Sequence, residues 1–275
     1  MQRDHCYESV HYIPYQPGFE QEIHYRNFVI PIDHPLYGIV SDFYQFDSAS
    51  LIKEICVIPD GCMDILFRYV SNGVTKALEG YYLEKVMIPT NQMGSAFGVR
   101  FVPGGFTNIL PIPASELIGK QIPLMDLLKK DSLLEQMDYS QEFSQRVAII
   151  SSYLINQVHK SYGSVSIARY CANRIISCQG SIPIGDLSED TGYTIRYLRN
   201  LFHQHIGISP KELCEIIRFQ TSFVKYSCLE KVNIDFSLSD LAIQAGYYDQ
   251  SHMNKSYQKM VGCLPKKFYA EVNQL

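Results

Sequence analysis

Two helix-like stretches near the C-terminus carry polar side chains at a spacing that suits hydrogen bonding to nucleic-acid bases. At 100° per residue, each stretch has an apolar side and a polar side, and the polar side has no acidic residue after the helix-capping position. Arg, Asn, Gln and Lys are side chains that bind base edges in the major groove of DNA. The candidate base-reading residues are Arg196, Arg199 and Asn200 in the first stretch and Gln250, Ser251, Asn254 and Lys255 in the second.

The two stretches belong to an internal repeat. DLSEDTGY (186–193) matches DLAIQAGY (240–247) at an offset of 54 residues, and LFHQHIGISPKEL (201–213) matches SYQKMVGCLPKKF (256–268) at an offset of 55. An ordinary solvent-facing surface would explain the polar side of either helix taken alone. Two copies in register, with matched polar sides, favour a shared binding role.

Each copy of the repeat has the pattern of a helix-turn-helix unit. An apolar helix is followed by a turn at a glycine, Gly192 or Gly246, which suits the left-handed residue that ends many helices. A polar residue, Thr194 or Asp249, then fits the N-cap of a second helix, and a glycine and a proline follow that helix. The sequence therefore predicts two helix-turn-helix units in one chain.

The stretch SPKELCEIIRFQTSFVKY (209–226) lies between the two units and is predicted to form one connecting helix. Its apolar stripe consists of Leu213, Ile216, Ile217 and Phe223. A rigid helix would hold the second helices of the two units at a fixed separation. If that separation is about one DNA turn, roughly 34 Å, one chain reads two successive major grooves.

The chain up to about residue 110 has the pattern of a β domain. Short apolar runs alternate with breakers rich in Pro, Gly, Asp and Asn. Within IPDGCMDILFRYV (58–70) and SAFGVRFV (95–102), side chains alternate between an apolar face and a second face, as in β-strands. Many short antiparallel strands predict a small barrel or a jelly roll.

From about residue 113 the pattern becomes helical. The stretch SQEFSQRVAIISSYLINQVHKSY (140–162) has an apolar stripe formed by Phe143, Val147, Ile150, Leu154 and Val158. Two interpretations of this stripe are open. It is either a seam between two chains of a dimer or a face that packs on the chain's own β domain.

Charge and composition limit the class of protein. The net charge is −4, and residues 1–180 carry 14 Lys+Arg and 18 Asp+Glu, whereas residues 181–275 carry 10 of each. Binding to nucleic acid would therefore depend on where the basic residues lie. No apolar run reaches the roughly 18 residues of a membrane span, and the N-terminus lacks a secretory apolar core, so we expect a cytoplasmic protein.

Cysteine usage gives no sign of a metal or a cofactor. Eight cysteines are scattered without a CxxC pair, which indicates reduced thiols rather than a zinc site. Cys62, in DGCMD, would need a histidine partner to act as a nucleophile, and the sequence places none beside it. We therefore predict that the protein is not an enzyme.

The C-terminal repeat also carries a family resemblance. GISPKELCEIIRFQ (207–220), followed by LSDLAIQAGYYDQSHMNKSYQKMVGCLPKKF (238–268), resembles the DNA-binding domain of the AraC/XylS family of bacterial transcription regulators. The resemblance covers about residues 181–270. Tyr257 stands where the family usually has Phe, and Met253 stands where it usually has Phe or Leu.

The first half of the chain resembles one subgroup of that family. IPDGCMDILF (58–67) and FGVRFVPGGF (97–106) are similar to the subgroup's N-terminal sensor domain, which resembles a cupin-like β-barrel. The resemblance implies an α+β protein in three parts. These are a cupin-like β-barrel sensor domain with helices (1–135), a helical dimerisation or linker region (136–180), and an all-α domain of two helix-turn-helix units joined by a linker helix (181–275).

The resemblance implies a sequence-specific DNA-binding transcriptional regulator, with the seven candidate base-reading residues facing the bases. Its implied partners are double-stranded DNA, a second copy of the chain and a small-molecule effector, with RNA polymerase as a further candidate. A regulator of the same kind without a small ligand, controlled by its abundance or by a protein partner, is the alternative. A solid barrel interior would favour that alternative, and a polar cavity would favour an effector.

Three charged residues on the predicted strands are candidates for effector binding: Asp64, Arg68 and Arg100. An arginine beside an apolar wall suits an anionic ligand, because its guanidinium group can bind a carboxylate through two hydrogen bonds. The alternative is that Asp64 pairs with an arginine in an internal ion pair, since a lone buried charge is costly.

Overall fold

The computed structural model describes residues 12–20, 25–46, 54–70, 73–89, 95–109, 112–128, 132–140, 142–158, 164–231 and 236–272. The described residues of the first half form eight strands: β1 Arg26–Val29, β2 Val40–Phe46, β3 Glu54–Val57, β4 Met63–Val70, β5 Gly73–Glu79, β6 Val86–Pro89, β7 Ser95–Phe101 and β8 Gln121–Pro123. Short 3-10 helices span Phe106–Asn108 and Ala114–Glu116. A four-residue helix, α1 (Pro17–Glu20), precedes the strands.

The described strands form two antiparallel sheets rather than one closed barrel. Six strands lie in the order β1-β2-β7-β4-β5-β8, and β3 pairs with β6 in a separate sheet. The predicted alternation along β4 and β7 is confirmed, because the apolar faces of both strands are buried in the main core. The opposite face of the large sheet packs against the small sheet and α1 through an aromatic cluster of Phe19, Tyr44, Phe46, Ile55, Leu66 and Ala96.

Four helices follow the strands: α2 (Leu124–Leu127), α3 (Ser132–Tyr139), α4 (Phe143–Val158) and α5 (Ser164–Ser177). The apolar stripe of α4 packs on the chain's own core, since Ile150 and Leu154 are fully buried and the ring of Phe143 lies 5.9 Å from that of Phe97. The structure therefore agrees with the second interpretation, in which the stripe packs on the chain's own β domain. Arg146 fixes the same helix face by donating to Oε1 of Gln45 at 2.8 Å.

The C-terminal domain consists of six more helices: α6 (Ile184–Thr191), α7 (Ile195–His205), α8 (Pro210–Lys231), α9 (Leu238–Gln244), α10 (Gln250–Val261) and α11 (Pro265–Val272). The predicted glycine turns are confirmed, because Gly192 and Gly246 both have positive φ, +72° and +81°. The pairs α6–α7 and α9–α10 are the two helix-turn-helix units, and α8 connects them. The chain is therefore of the α+β class, as predicted.

Helix α5 lies in the predicted helical linker region (136–180) and packs against the C-terminal domain. Its Ala172 and Ile175 are fully buried, and the helix packs against α7 and α8. Within the part of the chain that the structure describes, no helix has the length and hydropathy of a membrane span.

Candidate nucleic-acid interface and internal cavity

Helix α7 presents its predicted polar side to solvent. Thr194 caps the helix by accepting a hydrogen bond from the backbone N–H of Tyr197 at 3.3 Å. Leu198, Leu201, Phe202 and His205 are buried on one side, as the 3.6-residue period predicts. Arg196, Arg199 and Asn200 are exposed on the other side, so all three side chains are accessible to a partner.

Helix α10 has the same arrangement in the second unit. Asp249 caps it by accepting a hydrogen bond from the N–H of His252 at 2.7 Å. Met253, Tyr257 and Met260 are buried. Of the predicted base-reading residues, Ser251 and Lys255 are exposed, while Gln250 and Asn254 are half-buried.

Two polar side chains of the second unit are oriented by neighbours. The amide oxygen of Gln250 accepts a hydrogen bond from the Ser239 hydroxyl at 3.0 Å, so the NH₂ group of Gln250 has no part in this contact. Nδ1 of His252 accepts a hydrogen bond from the N–H of Tyr248 at 3.4 Å. His252 therefore stabilises the turn that precedes its helix, which fits a capping role rather than base contact.

The connecting helix α8 supports α10 through a buried aromatic cluster. Phe219 packs edge-on against Tyr257, with ring centroids 4.9 Å apart, and Phe223 stacks on Tyr269 at 5.4 Å. The Tyr257 hydroxyl, absent from the phenylalanine usual at this position, lies 2.8 Å from Oγ of Ser222 and also hydrogen bonds to the Tyr269 hydroxyl. The substitution is therefore accommodated without an unsatisfied buried hydroxyl.

A second candidate site lies in the β domain. A cavity of about 50 Å³ is lined by residues of both sheets, of α1 and of the turns between strands. Its lining includes the three predicted effector residues and several aromatic rings: Asp64, Arg68, Arg100, Phe19, Tyr44, Phe46, Tyr81 and Tyr82. The structure therefore brings the three predicted effector residues together on one wall.

Strand register explains why these charged residues are neighbours. Arg100 on β7 pairs with Asp42 on β2 and with Asp64 on β4, and Asp64 pairs with Glu79 on β5. Directly opposed residues point to the same face of a sheet, so these four side chains form one row across four strands. We refer to Asp42, Arg100, Asp64 and Glu79 as the charged row.

Arg100 is held by Asp64 and by aromatic rings. Its Nη2 lies 3.0 Å from Oδ2 of Asp64 and its Nε 3.2 Å from Oδ1, which is the two-point geometry of a strong ion pair. The guanidinium carbon lies 4.9 Å from the Tyr44 ring centroid and 5.6 Å from that of Phe19. Asp64 is therefore in an internal ion pair with Arg100, which is the alternative predicted for this residue.

Tyr44 completes this arrangement because residue 98 is a glycine. The Tyr44 hydroxyl donates to Oδ2 of Asp64 at 2.6 Å. A Cβ at Gly98 would lie 2.1 Å from Cζ of Tyr44, so the ring can cross β7 only where the strand has no side chain.

Arg68 also has a carboxylate partner. Its Nη2 lies 2.5 Å from Oε1 of Glu79, and the same oxygen accepts a hydrogen bond from Nε2 of Gln121 at 2.6 Å. Neither arginine of the cavity therefore offers an uncommitted cation to an anionic ligand. Both arginines are therefore in internal ion pairs, and binding of an anionic effector stays a prediction.

The sequence did not single out two further acidic residues, Asp42 and Asp60. Asp42 is 2% exposed, and burial raises its pKa above the usual value. Burial raises the pKa of Asp60 to about 6, although Gln16 and the N–H of Cys62 donate hydrogen bonds to its carboxylate at 2.7 and 2.8 Å. The sequence signal for Asp42 is a lone acidic residue within β2, whereas Asp60 lies in a Pro-Asp-Gly stretch (59–61) that is typical of a turn.

Cys62 has no features of a catalytic nucleophile. Burial raises the pKa of its thiol well above the usual range, so the group is protonated at neutral pH. Within the described ranges, no group of three His, Cys, Asp or Glu side chains is placed to hold a metal ion.

Comparisons with known proteins agree with this architecture. A helix-turn-helix domain family matches residues 187–271, and a domain of unknown function (DUF6597) matches residues 30–123. The HTH-type transcriptional regulator ExsA of Pseudomonas aeruginosa is 29% identical over 84 residues, which are 30% of this chain and 28% of ExsA. The chain therefore aligns with less than a third of that relative's length.

The chain has a weak similarity to solved structures of ToxT from Vibrio cholerae. One ToxT structure is 10% identical, with a TM-score of 0.42 over 89% of this chain and 97% of ToxT. A second, with an unsaturated fatty acid bound, is 13% identical, with a TM-score of 0.40 over 85% and 95% of the two chains.

The fold and the exposed helix faces define an α+β protein with a double helix-turn-helix domain. The match of residues 187–271 to a helix-turn-helix domain family supports the resemblance to the AraC/XylS family.

Proposed function

We propose that the protein is a sequence-specific DNA-binding transcriptional regulator whose helices α7 and α10 enter successive major grooves. The observation that carries the proposal is the pair of capped helices, each with a buried apolar side and a polar side that solvent reaches. We assign base contacts to Arg196, Arg199 and Asn200 in α7, and to Gln250, Ser251, Asn254 and Lys255 in α10.

Selection of bound sequences from random double-stranded DNA tests this function. We expect enrichment of two half-sites whose centres lie about one helical turn apart, because one chain carries both reading helices. Binding should weaken steeply as salt rises, since phosphate contacts release counterions. Recovery of no enriched sequence from repeated rounds would refute sequence-specific binding.

We also propose that the cavity binds a small effector that donates hydrogen bonds. The cavity is lined by three carboxyl groups, of Asp60, Asp64 and Glu79, and by two arginines that are already paired. A further hydrogen-bond donor, particularly a cation, would find acceptors there, whereas an anion would have to displace a carboxylate from an arginine. A volume of about 50 Å³ suits a ligand of a few heavy atoms, since one water needs roughly 10–15 Å³ on this measure.

Three probes with one carbon skeleton test the ligand class: propylammonium, propanol and propanoate. We expect propylammonium to raise the melting temperature most, at concentrations well above its Kd, because binding to the folded state alone stabilises it. The effect should diminish below about pH 6, where Asp60 becomes protonated and no longer attracts a cation. Asp60→Asn should remove most of the response.

The other outcomes of the probe experiment also decide between hypotheses. Stabilisation by propanoate alone would restore the anionic ligand predicted from the arginines. No response to any probe would favour a regulator without a small ligand, controlled by its abundance or by a protein partner.

We further propose a homodimer formed through the outer side of α3 and α4. Tyr139 is 85% exposed, and a groove beside it is lined by Ala148 and Ile149. Tyr139 and Ala148 are exposed and Ile149 is half-buried, whereas Ile150 and Leu154 are fully buried in the chain's own core. A surface with exposed apolar groups of this kind suits a second copy of the chain.

Adjacent aspartate substitutions distinguish the two sides of α4. Ile150→Asp should unfold the chain or leave it insoluble, because the new carboxylate would be buried without a partner. Ile149→Asp should leave a folded protein whose mass by light scattering is that of a monomer. A folded Ile149→Asp variant that remains dimeric would refute this interface.

A further inference from the structure

One short segment of the β domain contacts the ends of both candidate reading helices. Residues 80–85 connect β5 to the strand β6, and we call them the bridging segment. The hydroxyl of Tyr81 donates a hydrogen bond to the carbonyl oxygen of Ile206, the C-cap of α7. The N–H of Lys85 donates to the carbonyl oxygen of Met260, in the last turn of α10, at 2.7 Å.

The contact with α7 depends on a glycine. Gly207 follows the helix with φ of +91°, and a Cβ there would lie 2.1 Å from the Tyr81 hydroxyl oxygen and 2.7 Å from the carbonyl oxygen of Ala114. A side chain would therefore force the first helix-turn-helix unit away from the β domain. These short distances show that the end of α7 packs closely against the β domain.

The bridging segment is also fixed from the side of the β domain. The N–H of Gly80 donates to the carbonyl oxygen of Lys120 at 2.9 Å, and the N–H of Gly119 donates to that of Tyr81 at 3.1 Å. A Cβ at Gly80 would lie 1.5 Å from the carbonyl oxygen of Leu117, so the backbone is in direct contact with the loop that leads into β8. These contacts therefore fix the bridging segment against residues 117–120 of the β domain.

Lys85 adds side-chain contacts to α11, the helix that follows the second unit. Its Nζ lies 3.4 Å from Oε2 of Glu271 and 5.8 Å from the ring centroid of Phe268, both on α11. The β domain also contacts the connecting helix α8, since Gln220 donates to the carbonyl oxygen of Pro59 at 2.8 Å. Contacts to both units and to their connector thus come from one domain.

We propose that the bridging segment sets the separation of α7 and α10, and so determines which half-site spacing the protein accepts. The inference rests on the proposed DNA-binding function. Helix α8 is one link between the two units, and a second connection that bypasses α8 restricts their relative movement further. Tyr81 and Lys85 are therefore positioning residues for spacing, without any contact to DNA of their own.

The test measures affinity for duplexes in which the two selected half-sites are moved apart or together by one or two base pairs. Each added base pair displaces a half-site by about 3.4 Å and rotates it by about 35°. Wild-type affinity should fall sharply at either change. Tyr81→Phe, which removes only the hydroxyl, should reduce the penalty for a one-base-pair change at least threefold, with affinity for a single half-site within twofold of wild type.

Tyr82→Phe is the matched control, because Tyr82 is the neighbouring tyrosine and also lines the cavity. It should retain the wild-type spacing profile. A folded Tyr81→Phe variant with an unchanged profile overturns the proposal, and so does an equal change in Tyr82→Phe. Failure of the wild type to bind any duplex would instead refute the proposed function.

Amide hydrogen exchange provides a second measurement that does not depend on DNA. In Tyr81→Phe, exchange should accelerate at Gly207, whose N–H bonds to the carbonyl oxygen of Phe202 at the end of α7. Exchange in α4 should remain as in the wild type, which excludes general unfolding. Unchanged exchange at Gly207 would show that the Tyr81 contact does not hold α7, and the proposal would be wrong.

Discussion

Replacing Arg100 by methionine is expected to lower the free energy of unfolding by about 3–5 kcal/mol, the usual cost of removing one partner of a buried ion pair. Arg100 is 4% exposed, and its guanidinium group is the cation that contacts Asp64. Asp42, opposite it on β2, would also lose the positive charge that lowers its pKa. Urea unfolding at pH 8 measures the loss.

The deficit of Arg100→Met should shrink as the pH falls. Burial already raises the pKa of Asp42 and Asp60, and Arg100 opposes that effect at both groups. Without Arg100, both folded-state pKa values rise further above the unfolded values. The folded state then binds protons more tightly, so its relative stability increases as the pH falls through those pKa values.

Arg68→Met is the comparison for this effect. Arg68 also has a carboxylate partner, but its side chain is 16% exposed against 5% for Arg100, so we expect a smaller and less pH-dependent loss. A loss below about 1 kcal/mol for Arg100→Met, or one that is constant from pH 5 to pH 8, would contradict the role of Arg100 as the central counter-ion.

Arg199→Ala should reduce discrimination between the selected DNA sequence and a sequence changed at one base pair. A good two-point contact between arginine and a base contributes about 1–3 kcal/mol, which corresponds to roughly 5–150-fold. Asn254→Ala should reduce discrimination at a different position, in the half-site read by α10. Competition binding with single-base variants of the selected site measures both effects.

Lys120→Ala controls for the loss of positive charge. Lys120 is exposed on the β domain, and its substitution changes the net charge by the same amount as Arg199→Ala. We expect it to preserve the base preferences at every position. The assignment of the reading helices fails if Arg199→Ala and Asn254→Ala both keep wild-type affinity and specificity.

The helix-turn-helix domain was predictable because its signals are local. A cap such as Thr194 and a turn glycine such as Gly192 act within four or five residues of their positions. The apolar period of α7 then determines which side is buried, and the observed burial confirms it. The base contacts themselves stay predictions, because burial does not identify a partner.

The apolar stripe of α4 was predictable only as the buried side of a helix. Periodicity predicted that Ile150 and Leu154 lie on a buried side, and both are buried. It contains no information about which surface covers that side, so a dimer seam and an internal core were equally compatible with it. Only the three-dimensional contact between Phe143 and Phe97 distinguishes them.

The charged row could not be predicted because strand pairing is non-local. Alternation placed Asp64 and Arg68 on one face of β4, which is confirmed, but it could not reveal that β7 lies between β2 and β4. Asp42 and Arg100 are 58 residues apart in the sequence and are directly opposed in the sheet. The neighbours of each charge therefore emerge only when the strand order is known.

The charged row has a consequence for how the sheet is assembled. Apolar alternation has a period of two residues, so it penalises a one-residue slip between strands but accepts a slip of two. A two-residue slip of β7 along β4 would move Arg100 from Asp64 to a position opposite Leu66 and leave the carboxylates without their cation. A misaligned sheet could keep its apolar contacts, but it would separate Arg100 from its carboxylate neighbours. The charge of Arg100 therefore favours the correct alignment of β2, β7 and β4 during folding.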